Sequence, residues 1–148
     1  MDFNAINTKA DEERGAPLHL KHPQLKHPLY TGPGADSVGR WVHRDKPAEA
    51  VVLRVRGAES PTVRAALERQ QKRAMKGAAS DEADEERAIK GAISFVTEVS
   101  GVYDGKRKIT ASEEDLRWLF ARSDDFILQV VNFATDKSNF FGEPADVS

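Results

Sequence analysis

Apolar and polar residues alternate most clearly in Ala50-Val-Val-Leu-Arg-Val-Arg56. In an extended chain Val51, Leu53 and Val55 fall on one face, and β-branched residues dominate the segment. The pattern therefore predicts a half-buried β-strand, which Gly57 ends. It is the best-defined strand that the sequence offers.

The alternation is weaker before this strand. Residues 1–16 are polar and predict a flexible or weakly helical lead. Leu18-His-Leu20 alternates, but Pro23 and Pro28 follow, and proline gives no backbone donor to a β-ladder. We therefore expect an edge strand or hairpin at best in this region, with Leu29-Tyr30 and Trp41-Val42 as further short strands.

After Gly57 the apolar positions change to the period of a helix. Ser60-Pro61 is typical of a helix start, because a hydroxyl caps the first turn and proline at the first position loses no hydrogen bond. Beyond Leu67 this helix is strongly polar. A second run follows the acidic segment 81–86, and its spacing predicts a helix that continues to about Gly101. Its apolar positions are Ile89, Ala92, Ile93, Val96 and Val99.

Turn and cap residues organise the last third of the chain. Tyr103-Asp-Gly-Lys-Arg-Lys-Ile109 predicts a short hairpin. Ser112-Glu-Glu-Asp115 resembles a capping box with Asp in place of Glu, and Ser123 can cap the next helix. Residues 142–148 are expected to be disordered. The last helix has apolar residues on more than one face, which predicts a central place in the core: Ile127, Leu128, Val130, Val131 and Ala134.

Together these elements predict an α+β fold. A small N-terminal antiparallel sheet or hairpin occupies residues 17–57, and a mainly helical part of about four helices occupies residues 58–141. The length of 148 residues suits one domain. The expected order along the chain is therefore lead, sheet, helices and tail.

Composition narrows the classes of function. Apolar residues make up 39% of the chain and charged residues 31%, which predicts a modest core under much solvated surface. The net charge of −2 demands neither nucleic acid nor an acidic membrane. The chain has no cysteine, which excludes disulfides and thiolate metal sites. We expect no signal peptide, since the N-terminus lacks a basic start and an apolar run, and no window approaches the roughly 18 apolar residues of a membrane span.

No set of residues has the spacing of a catalytic or cofactor site. The four histidines fall in a predicted strand and a Pro-rich loop, where residues three apart point to opposite faces, so we interpret them as exposed polar residues and not as metal ligands. They are His19, His22, His27 and His43. Thr31-Gly-Pro-Gly lacks the Lys-Ser or Lys-Thr of a phosphate-binding loop. We therefore expect neither an enzyme nor a cofactor.

The segment 40–76 is basic, with ten basic and four acidic residues. Such a segment can bind nucleic acid through counterion release. However, aromatic residues do not alternate with its basic ones for base stacking, and the acidic run 81–86 would repel phosphate. A solvated face, with the two runs attracting one another, is the favoured interpretation.

Asn139-Phe-Phe141 places two large aromatic residues side by side near the end of the chain. Such a pair either fills a last gap in the core or stays exposed as an anchor for a partner. The core position is the favoured interpretation. If the two rings are exposed, they form a hydrophobic patch of the kind that protein partners cover.

Two blocks of the sequence resemble a phage protein family. The first block contains Gly15-Ala-Pro-Leu-His-Leu-Lys-His-Pro23, Pro28-Leu-Tyr30, the strand Val51 to Arg56 and Gly57-Ala-Glu-Ser60. The second block contains Val96 to Val102, Tyr103-Asp-Gly105, Gln129-Val130 and Asp136-Lys-Ser-Asn-Phe140. On these motifs the chain is similar to the tail assembly chaperones encoded in the tail-gene clusters of long-tailed phages and prophages. It departs from their pattern between Gly32 and Ala48, where a longer Pro-containing loop replaces a short hairpin turn.

The resemblance implies a binder without catalytic activity or cofactor. Such chaperones coat the long helical tape-measure protein, keep it soluble and bring tail-tube subunits to it. The implied partners are thus the tape-measure protein and the tail-tube protein, and the implied location is the host cytoplasm; self-association is compatible with this role. A binder of apolar helical stripes needs grooves between its own helices. The candidate groove residues, most of which must also build the core, are Ile93, Val96, Leu119, Phe120, Ile127, Val131, Phe140 and Phe141.

Two other classes of function stay open. A structural virion component, such as a minor tail or neck protein, would be located in the virion tail and present in purified particles. A nucleic-acid-binding accessory protein would use the basic segment 40–76. An enzyme is the least expected class, because no arrangement of residues supports one.

Overall fold

The computed structural model describes residues 6–75 and 84–141 of the chain. It is a mixed α/β structure with five α-helices and small antiparallel sheets. The predicted disorder of residues 142–148 and part of the acidic run 81–86 lie outside the described residues. The helices are α1 (Thr8–Arg14), α2 (Pro61–Met75), α3 (Asp84–Phe95), α4 (Glu113–Phe120) and α5 (Asp124–Thr135). The strands are β1 (Ala16–His19), β2 (Tyr30–Thr31), β3 (Glu49–Ala50), β4 (Val52–Val55), β5 (Val96–Ser100), β6 (Tyr103–Asp104) and β7 (Arg107–Lys108).

The strand predicted at residues 50–56 forms the centre of the main sheet. This sheet has three antiparallel strands in the order β1, β4, β5, and Leu53 of β4 lies between Leu18 and Val99. The side chains of Val51, Leu53 and Val55 are buried, which confirms the predicted alternation. Strands β2 and β3 form a short antiparallel pair and fall between β1 and β4 in the sequence. Strands β6 and β7 form the hairpin predicted near residue 105.

The predicted helix up to Gly101 is wrong in its second half. Helix α3 ends at Phe95, and Val96–Ser100 is strand β5, paired with β4. The backbone N–H of Arg56 donates to the Phe95 carbonyl at 2.6 Å, and its guanidinium donates to the Ser94 carbonyl at 3.0 Å. These contacts satisfy carbonyls that a helix end leaves free. The strands therefore do not all precede the helices, and the predicted order of sheet and helices is corrected to a mixed order.

The segment predicted as a flexible or weakly helical lead contains helix α1, which is bound to the start of α2. The Glu12 carboxylate is 1% exposed and accepts from the backbone N–H of Glu59 at 3.0 Å. The Glu12 carbonyl accepts from the N–H of Gly57 at 2.9 Å. The Glu13 carboxylate accepts from the N–H of Thr62 at 3.0 Å. These contacts hold Thr8–Arg14 against the body of the protein.

The predicted helix caps are confirmed. The Ser60 hydroxyl accepts from the N–H of Val63 at 3.1 Å, and the Ser112 hydroxyl accepts from the N–H of Asp115 at 3.2 Å. Ser123 caps α5 through the N–H of Asp125 at 3.2 Å. Each hydroxyl satisfies one N–H that the first helical turn leaves without a partner.

The Gln129 side chain connects α5 to the N-terminal hairpin, residues 20–29, whose two arms pair at Lys21 and Pro28. Gln129 accepts from the N–H of Lys21 and donates to the Lys21 carbonyl, both at 2.9 Å. The same Gln129 amide donates to Asp125 at 2.8 Å, which orients it. This arrangement imitates one rung of a β-ladder between a loop and a helix, and it places Leu20 and Leu29 over the helical layer.

Candidate partner-binding groove

An open apolar groove lies between the N-terminal hairpin, the segment 101–103 and helices α4 and α5. Its volume is about 210 Å³. Buried core residues form its floor, and partly buried Leu29, Trp118 and Phe126 form its walls. The lining residues of this hairpin–α4 groove are Leu20, Leu29, Thr31, Val51, Gly101, Val102, Tyr103, Trp118, Leu119, Arg122 and Phe126.

A second depression of about 500 Å³ adjoins the groove, and the two share Thr31 and Tyr103. It lies between the β2 and β3 ends and the β6–β7 turn. Prolines and small residues make most of its wall, so backbone atoms approach its surface closely. Its remaining lining residues are Gly32, Pro33, Pro47, Ala48, Glu49 and Gly105. The two depressions therefore meet at Thr31 and Tyr103.

Two hydrogen bonds fix the boundary between the two depressions. The Thr31 hydroxyl donates to the Gly101 carbonyl at 3.0 Å. The Tyr103 hydroxyl donates to the Glu49 carboxylate at 2.9 Å, and this bond raises the pKa of Tyr103 above its ordinary 10.0. The polar groups at this boundary therefore satisfy one another, and the walls that face the groove stay apolar.

Trp118 is the largest side chain in the wall, and Arg122 holds it in place. The Arg122 guanidinium lies 4.7 Å from the centre of the indole ring and donates to the Trp118 carbonyl at 3.2 Å. The two residues are four apart, the spacing at which helical side chains meet. A cation over an aromatic face is favourable and limits the rotation of the ring. The indole ring of Trp118 therefore gives the edge of the groove a flat apolar surface.

The β6–β7 hairpin that carries Tyr103 is attached to the start of α4. The Asp115 carboxylate accepts from Arg107 at 2.7 Å, and from the backbone N–H and hydroxyl of Thr110 at 2.8 and 2.7 Å. The bonds from Arg107 and then from Thr110 lower the pKa of Asp115 from 3.8 to about 2. Asp115 therefore uses its carboxylate to fix the hairpin and does not complete the predicted capping box.

The structure places the eight sequence-predicted groove residues in two different environments, buried and partly buried. Four of them are buried in the core: Val96, Leu119, Phe120 and Phe140. Val96 lies in β5 and not on a helix, and only Leu119 reaches the floor of the hairpin–α4 groove. The Phe140 ring packs edge-on against Phe133, with ring centres 5.6 Å apart. Val96, Phe120 and Phe140 do not line this groove, so they can affect binding there only through the packing of the core, whereas Leu119 contributes to the groove floor.

The other four predicted groove residues are partly buried, and none of them lines the hairpin–α4 groove. Ile127, Val131 and Phe141 lie along α5 and just beyond it. Ile93 lines a different groove between α2, α3 and α4. As binding residues, all four stay predictions.

Sequence reasoning missed most of the wall. Leu29, Trp118 and Phe126 come from three different elements, so no periodic pattern joins them. The spacing of Trp118 and Arg122 was a local signal, because residues four apart on a helix are neighbours and a guanidinium over an indole ring is favourable.

The four histidines considered as metal ligands lie in the part of the chain that the structure describes. There, no group of three or more His, Asp or Glu side chains could hold a metal ion. His19 instead shares a 2.7 Å hydrogen bond with the Leu29 carbonyl and packs edge-on against Tyr30.

Within residues 6–75 and 84–141, no helix combines the length and apolar character that crossing a membrane would require.

Comparisons of the chain with protein-family models, with curated proteins and with solved structures gave no significant match. The interpretation of the hairpin–α4 groove therefore depends on its geometry and on the sequence motifs.

Proposed function

We propose that the protein is a non-catalytic binder that holds an apolar segment of a client protein in the hairpin–α4 groove. From the sequence resemblance we further propose that it is a tail assembly chaperone of a long-tailed phage. Its client is then the tape-measure protein, and it helps recruit tail-tube subunits during tail assembly. The observation that carries the proposal is the apolar groove wall of Leu29, Trp118 and Phe126, which is open to solvent and in which Arg122 packs on the Trp118 ring.

Without the adjoining depression, the hairpin–α4 groove is smaller than the usual pocket for a drug-sized molecule and suits side chains of a protein. Pockets for drug-sized ligands have roughly 300–1,000 Å³ and a few convergent polar groups. The hairpin–α4 groove has about 210 Å³, and the polar groups at its boundary are paired with one another. Such a site suits one or two large apolar side chains of a helix or an extended segment.

Fixed aromatic walls are a feature of protein-binding sites. Tryptophan, tyrosine and arginine are enriched among the residues that carry most of the binding energy at interfaces. Trp118, Tyr103 and Arg122 meet at this groove, and Trp118 is already held by Arg122 before a partner arrives. Little side-chain entropy is then lost on binding.

Co-expression with the tape-measure protein tests the proposal. We expect the wild-type chain to move the tape-measure protein into the soluble fraction, and Trp118→Ala to reduce this effect strongly. Leu128→Ala is the matched control, because Leu128 is 54% exposed on α5 and does not line the groove. An unchanged insoluble fraction with folded wild-type chain would contradict the proposal, as would equal losses for both variants.

Mass spectrometry of purified particles separates the chaperone from a structural virion component. A chaperone is found in the lysate of infected cells and is absent from finished particles. Stoichiometric presence in particles would favour a minor tail or neck protein, and the groove would then bind a neighbour in the virion.

A further inference from the structure

A separate basic groove lies among helices α2, α3 and α4. Its volume is about 350 Å³. Its lining residues are Ala66, Arg69, Gln70, Arg73, Lys90, Ile93, Ser94, Glu113 and Arg117. Four of these nine residues are cationic, and one is a carboxylate. We call it the basic groove.

The charges of the basic groove are unequally compensated. Arg117 is hydrogen-bonded to Glu86 and lies 3.6 Å from Glu113, so its charge is matched. Arg69 and Arg73 are exposed and form no ion pair with any residue in the described ranges. Helix α2 contains four basic residues and a single acidic residue, Glu68. Among the described residues, the α2 side of the groove therefore has positive charge without a paired carboxylate at Arg69 and Arg73.

Arg69 and Arg73 are four residues apart on one face of α2. Like charges at this spacing destabilise an isolated helix by a few tenths of a kcal/mol. The fold thus keeps an arrangement that costs stability and that no described contact offsets. Two guanidinium groups at this spacing fit two carboxylates that are also one helical turn apart, since each can accept two parallel hydrogen bonds.

The floor of the basic groove identifies the kind of partner. Ala66 and Ile93 are partly buried and give it an apolar strip below the arginines. None of the described residues that line it is aromatic, so nucleobases would have no ring among them on which to stack. Glu113 lies on its far wall and would repel a continuous phosphate chain. An apolar strip with arginines along one side matches an amphipathic helix whose polar face is acidic.

We propose that the basic groove binds an acidic amphipathic helix, in which two carboxylates one turn apart pair with Arg69 and Arg73 and an apolar side chain rests on Ile93. This inference rests on the proposed function in one respect, since it assigns that helix to the client. The hairpin–α4 groove then holds an apolar part of the client and the basic groove holds an acidic part. Two linked sites raise the overall affinity above that of either one.

A labelled helical peptide tests the inference without the client. The probe is a fluorescein-labelled designed helix with Glu at two positions four apart and Leu on the adjoining face; a second peptide has Gln in place of both Glu. Fluorescence anisotropy measures binding to the full chain. We expect the Glu peptide to bind and the Gln peptide to bind at least about fivefold more weakly, because hydrogen bonds between charged groups are the strong ones.

Two single substitutions distinguish binding at the basic groove from non-specific attraction to the positive charge of α2. Arg73→Gln and Lys72→Gln each remove one positive charge from neighbouring positions of α2, but only Arg73 lines the groove. We expect Arg73→Gln to weaken binding about fivefold to tenfold and Lys72→Gln to weaken it less than about twofold. Equal effects of the two variants would overturn the inference. Circular dichroism of both variants shows whether α2 is retained.

Three of the remaining outcomes overturn the inference, and the fourth separates it from the proposed function. Absence of binding to the Glu peptide removes it. Tighter binding of labelled duplex RNA, with a steep loss of affinity in salt, identifies a nucleic-acid site. Self-association that Arg73→Gln abolishes, without peptide binding, identifies a second copy of the chain. Failure of co-expression to solubilise the client, while the peptide still binds, removes the proposed function and leaves the basic groove intact.

Discussion

Phe140 and Phe141 differ in environment, and this difference gives a sharp test of the fold. Phe140 is 7% exposed, and its ring packs edge-on against Phe133 with a centre distance of 5.6 Å. Phe141 is only partly buried. The two residues are chemically identical neighbours, so Phe141→Ala is a matched control for Phe140→Ala. The sequence motif Asn139-Phe-Phe141 cannot distinguish them.

The expected magnitude follows from burial. An aromatic side chain of this kind buries roughly 150–250 Å², which at about 25 cal/mol per Å² sets a ceiling of about 4–6 kcal/mol. Measured Phe→Ala costs in cores are about 3–5 kcal/mol. We expect about 3 kcal/mol for Phe140, because the short turn beyond α5 can partly close over the gap. For Phe141 we expect less than about 1 kcal/mol.

Thermal and urea unfolding followed by circular dichroism measure both values. For a protein of this size about 3 kcal/mol corresponds to a decrease in Tm of about 6–12 °C. A cost below about 1 kcal/mol for Phe140→Ala, or equal costs for the two variants, would refute the reasoning. If Phe140→Ala leaves stability unchanged but abolishes solubilisation of the client, Phe140 is instead an exposed anchor for a partner.

Three further predictions concern single contacts. Ionised Asp115 stabilises the fold above its ordinary pKa of 3.8, and this contribution is lost as pH falls toward about 2; Asp115→Asn should therefore lower Tm at pH 7, and a gap to wild type that does not shrink in acid would contradict this. Ser60→Ala removes the cap on the N–H of Val63 and should cost about 1–2 kcal/mol in urea unfolding, whereas a cost near zero would show that water replaces the hydroxyl. Gln129→Ala should raise the hydrogen-exchange rate of the Lys21 amide while amides of β4 stay protected, and an unchanged rate at Lys21 would exclude the amide clamp.

The conformation of several segments could be read from their own residues. The strand at β4 follows from alternating β-branched residues, and the start of α2 follows from Ser60-Pro61. The caps at Ser112 and Ser123 and the hairpin around Gly105 likewise depend on contacts within a few residues. In each case the deciding interaction lies inside the segment, so the sequence contains all the information that is needed.

Segment 96–100 shows where local reasoning fails. Val96 and Val99 continue the helical spacing of Ile89, Ala92 and Ile93, yet they lie in a strand. Their partners in β4 lie more than forty residues earlier in the chain, as in the pairing of Val99 with Leu53. β-branched residues fit a pleated sheet well, and pairing with a central strand outweighs a weak helical preference. Periodicity over a short window cannot detect such a partner.

Helix α1 is a second case of the same kind. Its seven residues are too few to form a stable helix alone. It is held because Glu12 and Glu13 satisfy N–H groups of Glu59 and Thr62 at the start of α2. The sequence of residues 1–16 does not indicate that these two carboxylates accept hydrogen bonds from backbone N–H groups about fifty residues later in the chain.

The sequence by itself determined strand β4, the helix caps and the β6–β7 hairpin, because their deciding contacts lie within a few residues. Only the tertiary structure decided which surfaces exist. Leu29, Trp118 and Phe126 become one apolar wall, and Arg69 and Arg73 come to face Ile93, only when separate elements pack together. A groove is a relation between distant segments, and its position therefore depends on long-range packing and not on the local pattern of any one of them.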